Sequence, residues 1–390
     1  MEVRLVHNTP SAALDSEAAQ CVFAIELSKA NWSIGVQKPT GGKIGRYVLN
    51  AGDAKGLLEL IHRICAREAR KLGRPVAAVS CYEAGYDGFW LHRVLEADGV
   101  RNYVLDPASL QVNRRARRAK TDRIDAERMV RALLAYLRGD PEACSVVRVP
   151  SVIEEDAKRL ERERDRLIAE RIQHVNRIKG LCALQGVYDY EPLHRGARTR
   201  LENLRTRDGR LLPERLRAEL IRELERLELV VKMIAVVEAE RNAIVAGEAD
   251  APAHPHAGKV QALAKLKGIG PGFAMGLSGE VFYRNFANRR ELASYVGLTP
   301  APFRSGAVDR DQGITKAGNA KARSLMIELA WMWRRHQPGS ALSGWFRERV
   351  RDQRGRPRRI AIVALARKLL VALWRYVEVG LIPSGAVLKG

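Results

Sequence analysis

The chain has few of the residues that mark secreted and membrane proteins. It has five cysteines, and none of them forms a Cys-x-x-Cys pair: Cys21, Cys65, Cys81, Cys144 and Cys182. This odd, scattered set argues against a disulfide framework or a zinc site and favours a reducing cytoplasm. No apolar run approaches the length of a bilayer-spanning helix, and residues 1–20 lack the apolar core of a secretory signal.

Acidic residues are too few to balance the basic ones. The 390 residues include 67 Lys and Arg against 45 Asp and Glu, which leaves a formal net charge of +22. Such an excess favours a polyanionic partner, most often a nucleic acid. Hydrophobic residues make up 46% of the chain, so it has enough apolar material for two or three folded domains.

The first part of the chain alternates strand-like and helix-like segments. Residues 1–20 are interpreted as a flexible leader. The predicted elements that follow are strands at 21–27, 31–38, 43–50, 75–85 and 101–106 and helices at 54–72, 89–97 and 122–137. Their order, βββαβαβα, is typical of an α/β domain, which we place at 21–150.

The middle of the chain predicts two long amphipathic helices, at 153–185 and about 214–246. Apolar positions recur every seven residues at Leu160, Leu167, His174 and Leu181 and again at Leu220, Leu227 and Ile234. This spacing favours an antiparallel hairpin or coiled coil over 151–247. An Ala- and Pro-rich linker at 248–258 leads to a mainly α-helical C-terminal domain at 259–390.

Four acidic residues stand at predicted strand ends and at one helix start. Glu26 lies near the end of the first strand, and Glu83 lies just past a later one. Asp122 and Asp125 open a helix, three residues apart. Singly, each is explained by helix capping, by the helix dipole or by exposure at a sheet edge. As a set they supply the oxygen ligands that divalent cations need for phosphodiester chemistry, so we favour a metal site.

Basic residues crowd the segment directly before Asp122. A solvated helix face is the simplest explanation for such a run at 111–123. Beside an acidic site, the same charge is suited to hold a phosphate backbone across the metals. The residues assigned to nucleic-acid binding here are Arg114, Arg115, Arg117, Arg118 and Lys120.

A Gly- and Pro-rich segment within 295–333 is predicted to form an irregular loop before a helix. Ser305 lies in this loop between Arg304 and Gly306, and a serine in such a setting is usually a turn residue. It becomes a nucleophile only if a base, a metal or a cation activates it. Candidate phosphate ligands nearby are Arg304, Lys316, Asn319, Lys321 and Arg323.

Three further features leave alternatives open. The segment 263–281 predicts either a helix-hairpin-helix element, which binds a phosphate through backbone N–H groups, or a plain packing unit. The basic run 347–359 fits either contact with a nucleic-acid backbone or a solubilising surface. His254 and His256 have no third metal ligand nearby in the sequence and are interpreted as loop residues.

With these residues assembled, the chain resembles the DEDD-type insertion-sequence transposases of insertion-sequence family one-ten. The resemblance extends over nearly the whole chain, through motifs that are highly specific in combination. They are FAIELSKANW, CYEAGYDGFWLHRVL, RRAKTDRIDAERMVRALL, VRVPSVIEEDAKRL, GLTPAPFRSG and ITKAGNAKAR. The resemblance implies a RuvC-like, RNase H-type N-terminal domain, a coiled-coil segment and a C-terminal transposase domain.

The resemblance also implies functional residues. The family's acidic tetrad falls on Glu26, Glu83, Asp122 and Asp125, with Mg²⁺ or Mn²⁺ as the cofactor, and its nucleophilic serine falls on Ser305. Glu26 is a departure, because the family pattern more often has Asp there. Glu is one methylene longer, so the ligand chemistry is kept while the reach of the carboxylate changes.

The partners implied by the resemblance are nucleic acids and further copies of the chain. The family is similar to a recombinase guided by a structured RNA, which pairs with both donor and target DNA while the protein reads shape and backbone. A homodimer through the coiled coil would follow, together with a synaptic tetramer. In that assembly the RuvC-like site of one subunit meets the serine domain of another.

Three functions are therefore compared. The leading expectation is a cytoplasmic DNA transposase or recombinase in which Ser305 attacks a phosphodiester with help from Mg²⁺. A RuvC-like structure-specific endonuclease, cutting with metal-activated water, would need the acidic tetrad but not the serine. A non-enzymatic nucleic-acid-binding protein explains the +22 charge but leaves the acidic tetrad and the loop around Ser305 without purpose.

Overall fold

The computed structural model describes residues 19–110, 122–305 and 308–389. At 108, 122–124, 303–305 and 308–312 it describes the backbone alone. The chain divides into two compact units, Met1–Val149 and Pro150–Gly390. Most of the predicted leader and all five basic residues assigned between Arg114 and Lys120 lie outside the described residues.

The first unit is built on a mixed five-stranded sheet. Its strands are β1 (Ala19–Glu26), β2 (Asn31–Gln37), β3 (Gly45–Asn50), β4 (Val76–Glu83) and β5 (Arg101–Leu105). Their order in the sheet is β3-β2-β1-β4-β5. The first three strands form an antiparallel meander, whereas β4 is parallel to both β1 and β5.

Helices cover both faces of this sheet. They are α1 (Ala54–Leu72), α2 (Trp90–Ala97) and α3 (Asp122–Leu137). Because side chains alternate along a strand, Phe23 and Ile25 of β1 pack in the core of α1 and α2. Val22 and Ala24 pack in the core of α3. The prediction of a mixed α/β N-terminal domain in the order βββαβαβα is confirmed.

The second unit begins with two long helices and two short ones. They are α4 (Val152–Asp156), α5 (Arg159–Ala183), α6 (Ala197–Glu202) and α7 (Glu214–Ala246). A single helix at 153–185 was predicted, but a turn at residues 157 and 158 separates α4 from α5. The α7 prediction matches the structure from end to end, because Pro213 precedes its first residue and Gly247 closes it in the left-handed conformation, with φ of 75°.

Helices α5 and α7 pack side by side with opposite directions. Arg164 donates to Glu238 at 2.6 Å, and Arg177, further along α5, donates to Glu219, earlier in α7, at 2.5 Å. Between them, His174 pairs with Glu223 at 2.8 Å. The apolar seam beside these pairs buries residues of the predicted seven-residue repeat, namely Leu167, Leu181, Leu220, Leu227 and Ile234.

The rest of the second unit packs around Trp333. Its helices are α8 (Ala257–Lys265), α9 (Pro271–Leu277), α10 (Arg289–Val296), α11 (Ala320–His336), α12 (Ala341–Val350) and α13 (Arg356–Val379), with a π-helical turn at Ser278–Phe282. The fully buried indole of Trp333 donates to Ser340 at 2.9 Å. No helix within the described ranges combines the length and apolar composition needed to cross a bilayer.

One prediction for this unit is wrong. The Gly- and Pro-rich segment after α10 is not an irregular loop but an antiparallel hairpin of β6 (Pro300–Ser305) and β7 (Val308–Ile314). Both strands of a two-stranded ribbon are edge strands, which is the position in a sheet where proline is tolerated. The register shifts between these two prolines, which accommodates the irregular spacing.

Candidate functional site

Two of the predicted acids lie next to each other at one edge of the sheet. Ile25 of β1 is paired with Tyr82 of β4 in parallel register, and Glu26 and Glu83 directly follow these two residues. Both glutamates are the last residues of their strands. Adjacent parallel strands lie about 4.8 Å apart, so the two carboxylates start from neighbouring backbone positions.

The same two glutamates lie on the face of the sheet that α3 covers. Val22 and Ala24 of β1 and Val79 and Cys81 of β4 pack in the α3 core. Glu26 and Glu83 continue these alternating positions by two residues, so they extend the same face. Burial of Cys81 raises the pKa of its thiol, which keeps this neighbour of the acids neutral.

The helix that covers this face, α3, begins with the second pair of acids. Asp122 is the first residue of the helix, and Asp125 lies in its first turn with 13% of its side chain exposed. The Asp125 Oδ1 atom is 3.6 Å from Arg128 Nη1. Its Oδ2 atom is buried and has no hydrogen-bond partner in the described part of the chain.

A glycine permits the close approach of α3 to the sheet. A Cβ atom at Gly35 of β2 would lie 3.2 Å from Val130 and 3.3 Å from the carbonyl oxygen of Ala126. Any larger residue at this position would push α3 outward. Gly35 therefore fixes how near Asp125, one residue before Ala126, comes to the strands.

Glu26 and Glu83 are adjacent, and Asp125 lies on the helix that covers their face. Within the side chains that the structure describes, which exclude that of Asp122, no group of three or more His, Cys, Asp and Glu residues is placed to hold a metal ion. What the sheet edge offers is a set of hard oxygen donors.

Ser305 lies at the tip of the β6–β7 hairpin. It is the last residue of β6 and is paired with Val308, so only residues 306 and 307 connect the two strands. The side chains of Ser305 and Arg304 are outside the described part of the structure. The backbone places this serine at the end of β6.

The polar residues predicted to bind phosphate near Ser305 have different surroundings. Lys316 is exposed and has a positive φ of 56°. Lys321 lies 2.8 Å from Asp165 of α5. Asn319 and Arg323 point their polar groups at the protein itself: the Asn319 side chain caps α11, and Arg323 donates to the carbonyl oxygen of Val296 at 3.2 Å.

The glycine-rich turn between α8 and α9 has the contacts of a packing unit. Gly268 has a φ of +89°, and a Cβ atom there would lie 2.8 Å from the Cβ atom of His336 in α11. Ile269 beside it is fully buried. Of the two alternatives for this segment, these contacts favour packing over phosphate binding.

Two groups of residues were not foreseen from the sequence. Glu280 in the π-helical turn is 7% exposed and accepts hydrogen bonds from Asn319 at 3.0 Å and from Arg162 at 3.4 Å. Glu154 lies 3.4 Å from His256, so the second histidine of the linker does have an acidic neighbour. Both contacts join residues far apart in sequence, and no local pattern could have predicted them.

Two family models match the chain. One, described as "Transposase", matches residues 23–188, and the other, described as "Transposase IS116/IS110/IS902 family", matches residues 260–343. The first range contains Glu26, Glu83, Asp122 and Asp125, and the second contains Ser305.

Individual proteins are also similar over most of their length. "Putative transposase y4rJ" of Sinorhizobium fredii is 50% identical over 371 residues, covering 94% of each chain. "Transposase for insertion sequence element IS1111A" of Coxiella burnetii is 26% identical and covers 77% of each chain. The structure of T. thermophilus RuvC in complex with a Holliday junction substrate aligns with 33% of this chain and 99% of that one, at 12% identity and a TM-score of 0.21.

Proposed function

We propose that Ser305 is the nucleophile with which this chain, which belongs to the IS116/IS110/IS902 transposase family, cleaves and exchanges DNA strands. Membership of the family makes the chain a DNA-cleaving and strand-transfer enzyme. The observation that carries the residue assignment is the extent of the two matched ranges, since one includes the acidic tetrad and the other includes Ser305.

The serine step conserves the energy of the phosphodiester. A new bond forms between Ser305 Oγ and phosphorus, and one P–O bond of the DNA breaks, so the number of phosphoester bonds is unchanged. The hydroxyl proton leaves the serine, and the departing DNA oxygen gains a proton. A hydroxyl on another strand can then attack the phosphoserine and release Ser305, which joins strands without an external energy source.

The sheet edge at Glu26 and Glu83, with the start of α3, is called the acidic edge, and its chemistry fits a divalent metal. Its donors are carboxylate oxygens, which hard cations such as Mg²⁺ and Mn²⁺ prefer, and the buried Oδ2 atom of Asp125 has no hydrogen-bond partner among the described residues. We assign Glu26, Glu83, Asp122 and Asp125 as the ligands. When bound, the metal would stabilise negative charge on the phosphate oxygens.

The protein's own part at this edge is to hold the carboxylates in place. The paired strand ends fix Glu26 and Glu83, and the tight packing of α3 on Gly35 fixes Asp125. Glu26 stands where the family more often has Asp. Its extra methylene lengthens the reach of that ligand.

DNA contact is assigned to the basic residues around both sets of candidate residues. They are Arg114, Arg115, Arg117, Arg118 and Lys120 before the acids and Arg304 and Lys316 around the serine hairpin, whereas Lys321 is engaged by Asp165. The +22 charge supports such a backbone contact, which would bind DNA without reading its sequence. Sequence choice then falls to a guide RNA, as the family resemblance implies.

We further propose that the chain works as a homodimer through the α5–α7 pair, and as a tetramer when two DNA sites are joined. The support is an apolar stripe on the outer side of α7, formed by Leu229, Met233 and Val236, which are 53%, 44% and 62% exposed. Their spacing of four and three residues puts them on one exposed helical face, to the side of the buried seam.

A metal-dependent endonuclease that uses water is the second candidate. It is favoured by one observation: the acidic edge lies entirely within the first unit, so it could act without the serine hairpin. Trapping a covalent protein–DNA adduct separates the two functions. The transposase mechanism forms an adduct that depends on Ser305, whereas the endonuclease cuts DNA and forms none.

A further inference from the structure

The hairpin that carries Ser305 is closed at its base by backbone hydrogen bonds. The Thr315 N–H donates to the carbonyl oxygen of Thr299 at 3.0 Å, and the two threonine hydroxyls are 3.3 Å apart. One step further out, the Asn319 N–H donates to the carbonyl oxygen of Tyr295 at 2.8 Å. The chain therefore leaves α10 and enters α11 at nearly the same point.

Two glycines allow the two ends of the hairpin segment, after α10 and before α11, to come this close. Gly297, with a φ of +71°, closes α10, and a Cβ atom there would overlap the carbonyl oxygen of Ala317. Gly318, with a φ of +82°, faces Tyr295, and a Cβ atom there would overlap the carbonyl oxygen of that residue. Each glycine is thus required both by its left-handed backbone and by the space it leaves open.

Arg323 joins the two sides of the hairpin base. Its Nη1 atom donates to the carbonyl oxygen of Val296, before the hairpin, at 3.2 Å. The same atom donates to the carbonyl oxygen of Ala317, after the hairpin, at 3.3 Å. A charged donor strengthens both bonds, so the guanidinium ties the incoming and outgoing chain together.

Asn319 ties this base to the buried interior. Its side-chain oxygen accepts from the Ala322 N–H at 3.0 Å and so caps α11. Its amide nitrogen donates to the buried carboxylate of Glu280 at 3.0 Å, and Glu280 is also held by Arg162 of α5. The four residues Gly297, Gly318, Asn319 and Arg323 are called the clasp below.

We propose that the clasp positions Ser305, with Arg323 and Asn319 as positioning residues rather than phosphate ligands. This inference rests on the proposed role of Ser305 as the nucleophile. A two-stranded ribbon is only marginally stable alone, so the direction in which the hairpin projects depends on how its base is held. An attacking oxygen displaced by about 1 Å costs on the order of a hundredfold in rate.

Arg323 and Asn319 both direct their polar groups into the protein, and this direction favours a positioning role over phosphate binding. A phosphate ligand must aim its donors at solvent, where DNA would lie. Arg323 and Asn319 instead aim donors at carbonyl and carboxylate oxygens of the protein. Their loss should therefore slow the chemical step at saturating DNA and leave DNA affinity nearly unchanged.

The test compares Arg323→Ala with Arg335→Ala in the full-length protein. Arg335 is an exposed arginine on the same helix, so the two variants remove the same charge. The substrate is DNA that carries the ends of the insertion sequence. With this DNA, Arg323→Ala is expected to lower the rate of covalent protein–DNA adduct formation about a hundredfold relative to Arg335→Ala. DNA affinity of the two variants is expected to agree within about twofold, since each loses one charge.

Three further measurements keep the test decisive. Amide hydrogen exchange in β6 and β7 is expected to be faster in Arg323→Ala than in Arg335→Ala. Asn319→Ser keeps a side chain that caps helices well but loses the bond to Glu280, so it is expected to reproduce the rate loss in a folded protein. Arg323→Lys, which retains a donor and the charge, is expected to recover part of the rate.

Three results would overturn the inference. The first is a rate of adduct formation that is unchanged in both Arg323→Ala and Asn319→Ser. The second is a rate loss that disappears at saturating DNA. The third is hydrogen exchange in the hairpin of Arg323→Ala that equals the exchange in Arg335→Ala. Ser305→Ala is measured in parallel. Adducts formed by that variant would refute the nucleophile assignment alone, because the hydrogen-exchange comparison still reports whether the clasp holds the hairpin.

Discussion

Glu26 and Glu83 end two neighbouring parallel strands directly after the paired residues Ile25 and Tyr82. A parallel pair brings residues 57 positions apart in the chain to one sheet edge, where the two carboxylates start from neighbouring backbone positions. Carboxylate oxygens are the ligands that hard divalent cations prefer. This relationship is the structural reason for expecting a metal at the edge.

Asp125→Asn is predicted to abolish the response of DNA cleavage to Mg²⁺. The amide keeps the size of the side chain but removes the charge from the buried Oδ2 position. Metal affinity is expected to fall at least about tenfold, since even residues behind the ligands have effects of that size. Titration calorimetry with Mg²⁺ and Mn²⁺ measures this, with the exposed Glu142→Gln as the matched control.

An equal Mg²⁺ affinity in Asp125→Asn and Glu142→Gln would contradict the ligand assignment. Cleavage that continues in excess EDTA would contradict the metal site altogether.

The strands and helices of the first unit follow from the sequence because their signals are local. Alternating apolar residues and Gly73 at the end of α1 are visible in the sequence itself. The acidic set is also visible, because strand ends and a helix start are local features. That Glu26 and Glu83 share one sheet face depends on the strand order β1-β4, which no local pattern specifies.

The serine hairpin shows where local signals mislead. Its prolines and glycines are typical of loops, and only the pairing of β6 with β7 makes it a ribbon. Arg323 and Asn319 stand among basic residues and were predicted to bind phosphate. Their acceptors are carbonyl and carboxylate oxygens supplied by α10, by the end of the hairpin and by the π-helical turn, so the clasp exists only in the folded chain.

The apolar stripe on α7 predicts self-association. Met233→Lys together with Val236→Lys puts two charges on the exposed stripe without touching the buried seam. The variant is expected to sediment as a monomer at concentrations where the unmodified protein is a dimer, because like charges would face each other across the interface. Leu184→Lys, at a 77% exposed leucine outside the stripe, is the control.

A dimer that persists in the double variant, or an unmodified chain that sediments as a monomer, would refute this interface.

The histidines after α7 predict a loss of stability in mild acid. Burial, with a smaller effect from His256, lowers the pKa of His254 to about 4, whereas an unfolded histidine titrates near 6.5. Between these values the unfolded chain takes up a proton that the folded chain does not. The contribution of His254 is therefore complete above about pH 6.5 and is lost as the pH falls toward 4.

His254→Gln removes this titration. The fall in Tm between pH 7 and pH 5 is expected to be smaller in the variant than in the unmodified protein by roughly 2–4 °C. His194→Gln, at an exposed histidine, is expected to leave the fall unchanged. Equal pH dependence in all three proteins would contradict the assignment.

The basic residues before Asp122 predict a steep salt dependence of DNA binding. Log affinity is expected to fall by about 0.9 for each phosphate contact per tenfold rise in salt concentration. Neutralising Arg117 and Arg118 together should reduce this slope by about two, and equally for any DNA sequence. Fluorescence anisotropy over a salt series measures the slope, and an unchanged slope would remove these residues from the interface.

In the proposed mechanism, a serine of the C-terminal hairpin becomes covalently joined to DNA. Labelled DNA that carries the ends of the insertion sequence is incubated with the protein, Mg²⁺ and the RNA transcribed beside the transposase gene. The reaction is stopped with detergent, and the protein residue joined to DNA is identified by mass spectrometry. We expect a phosphoester on Ser305, no adduct with Ser305→Ala, and a normal amount of adduct with Ser294→Ala, which changes an exposed serine of α10. An adduct in Ser305→Ala, or DNA cleavage without any adduct, would contradict this mechanism.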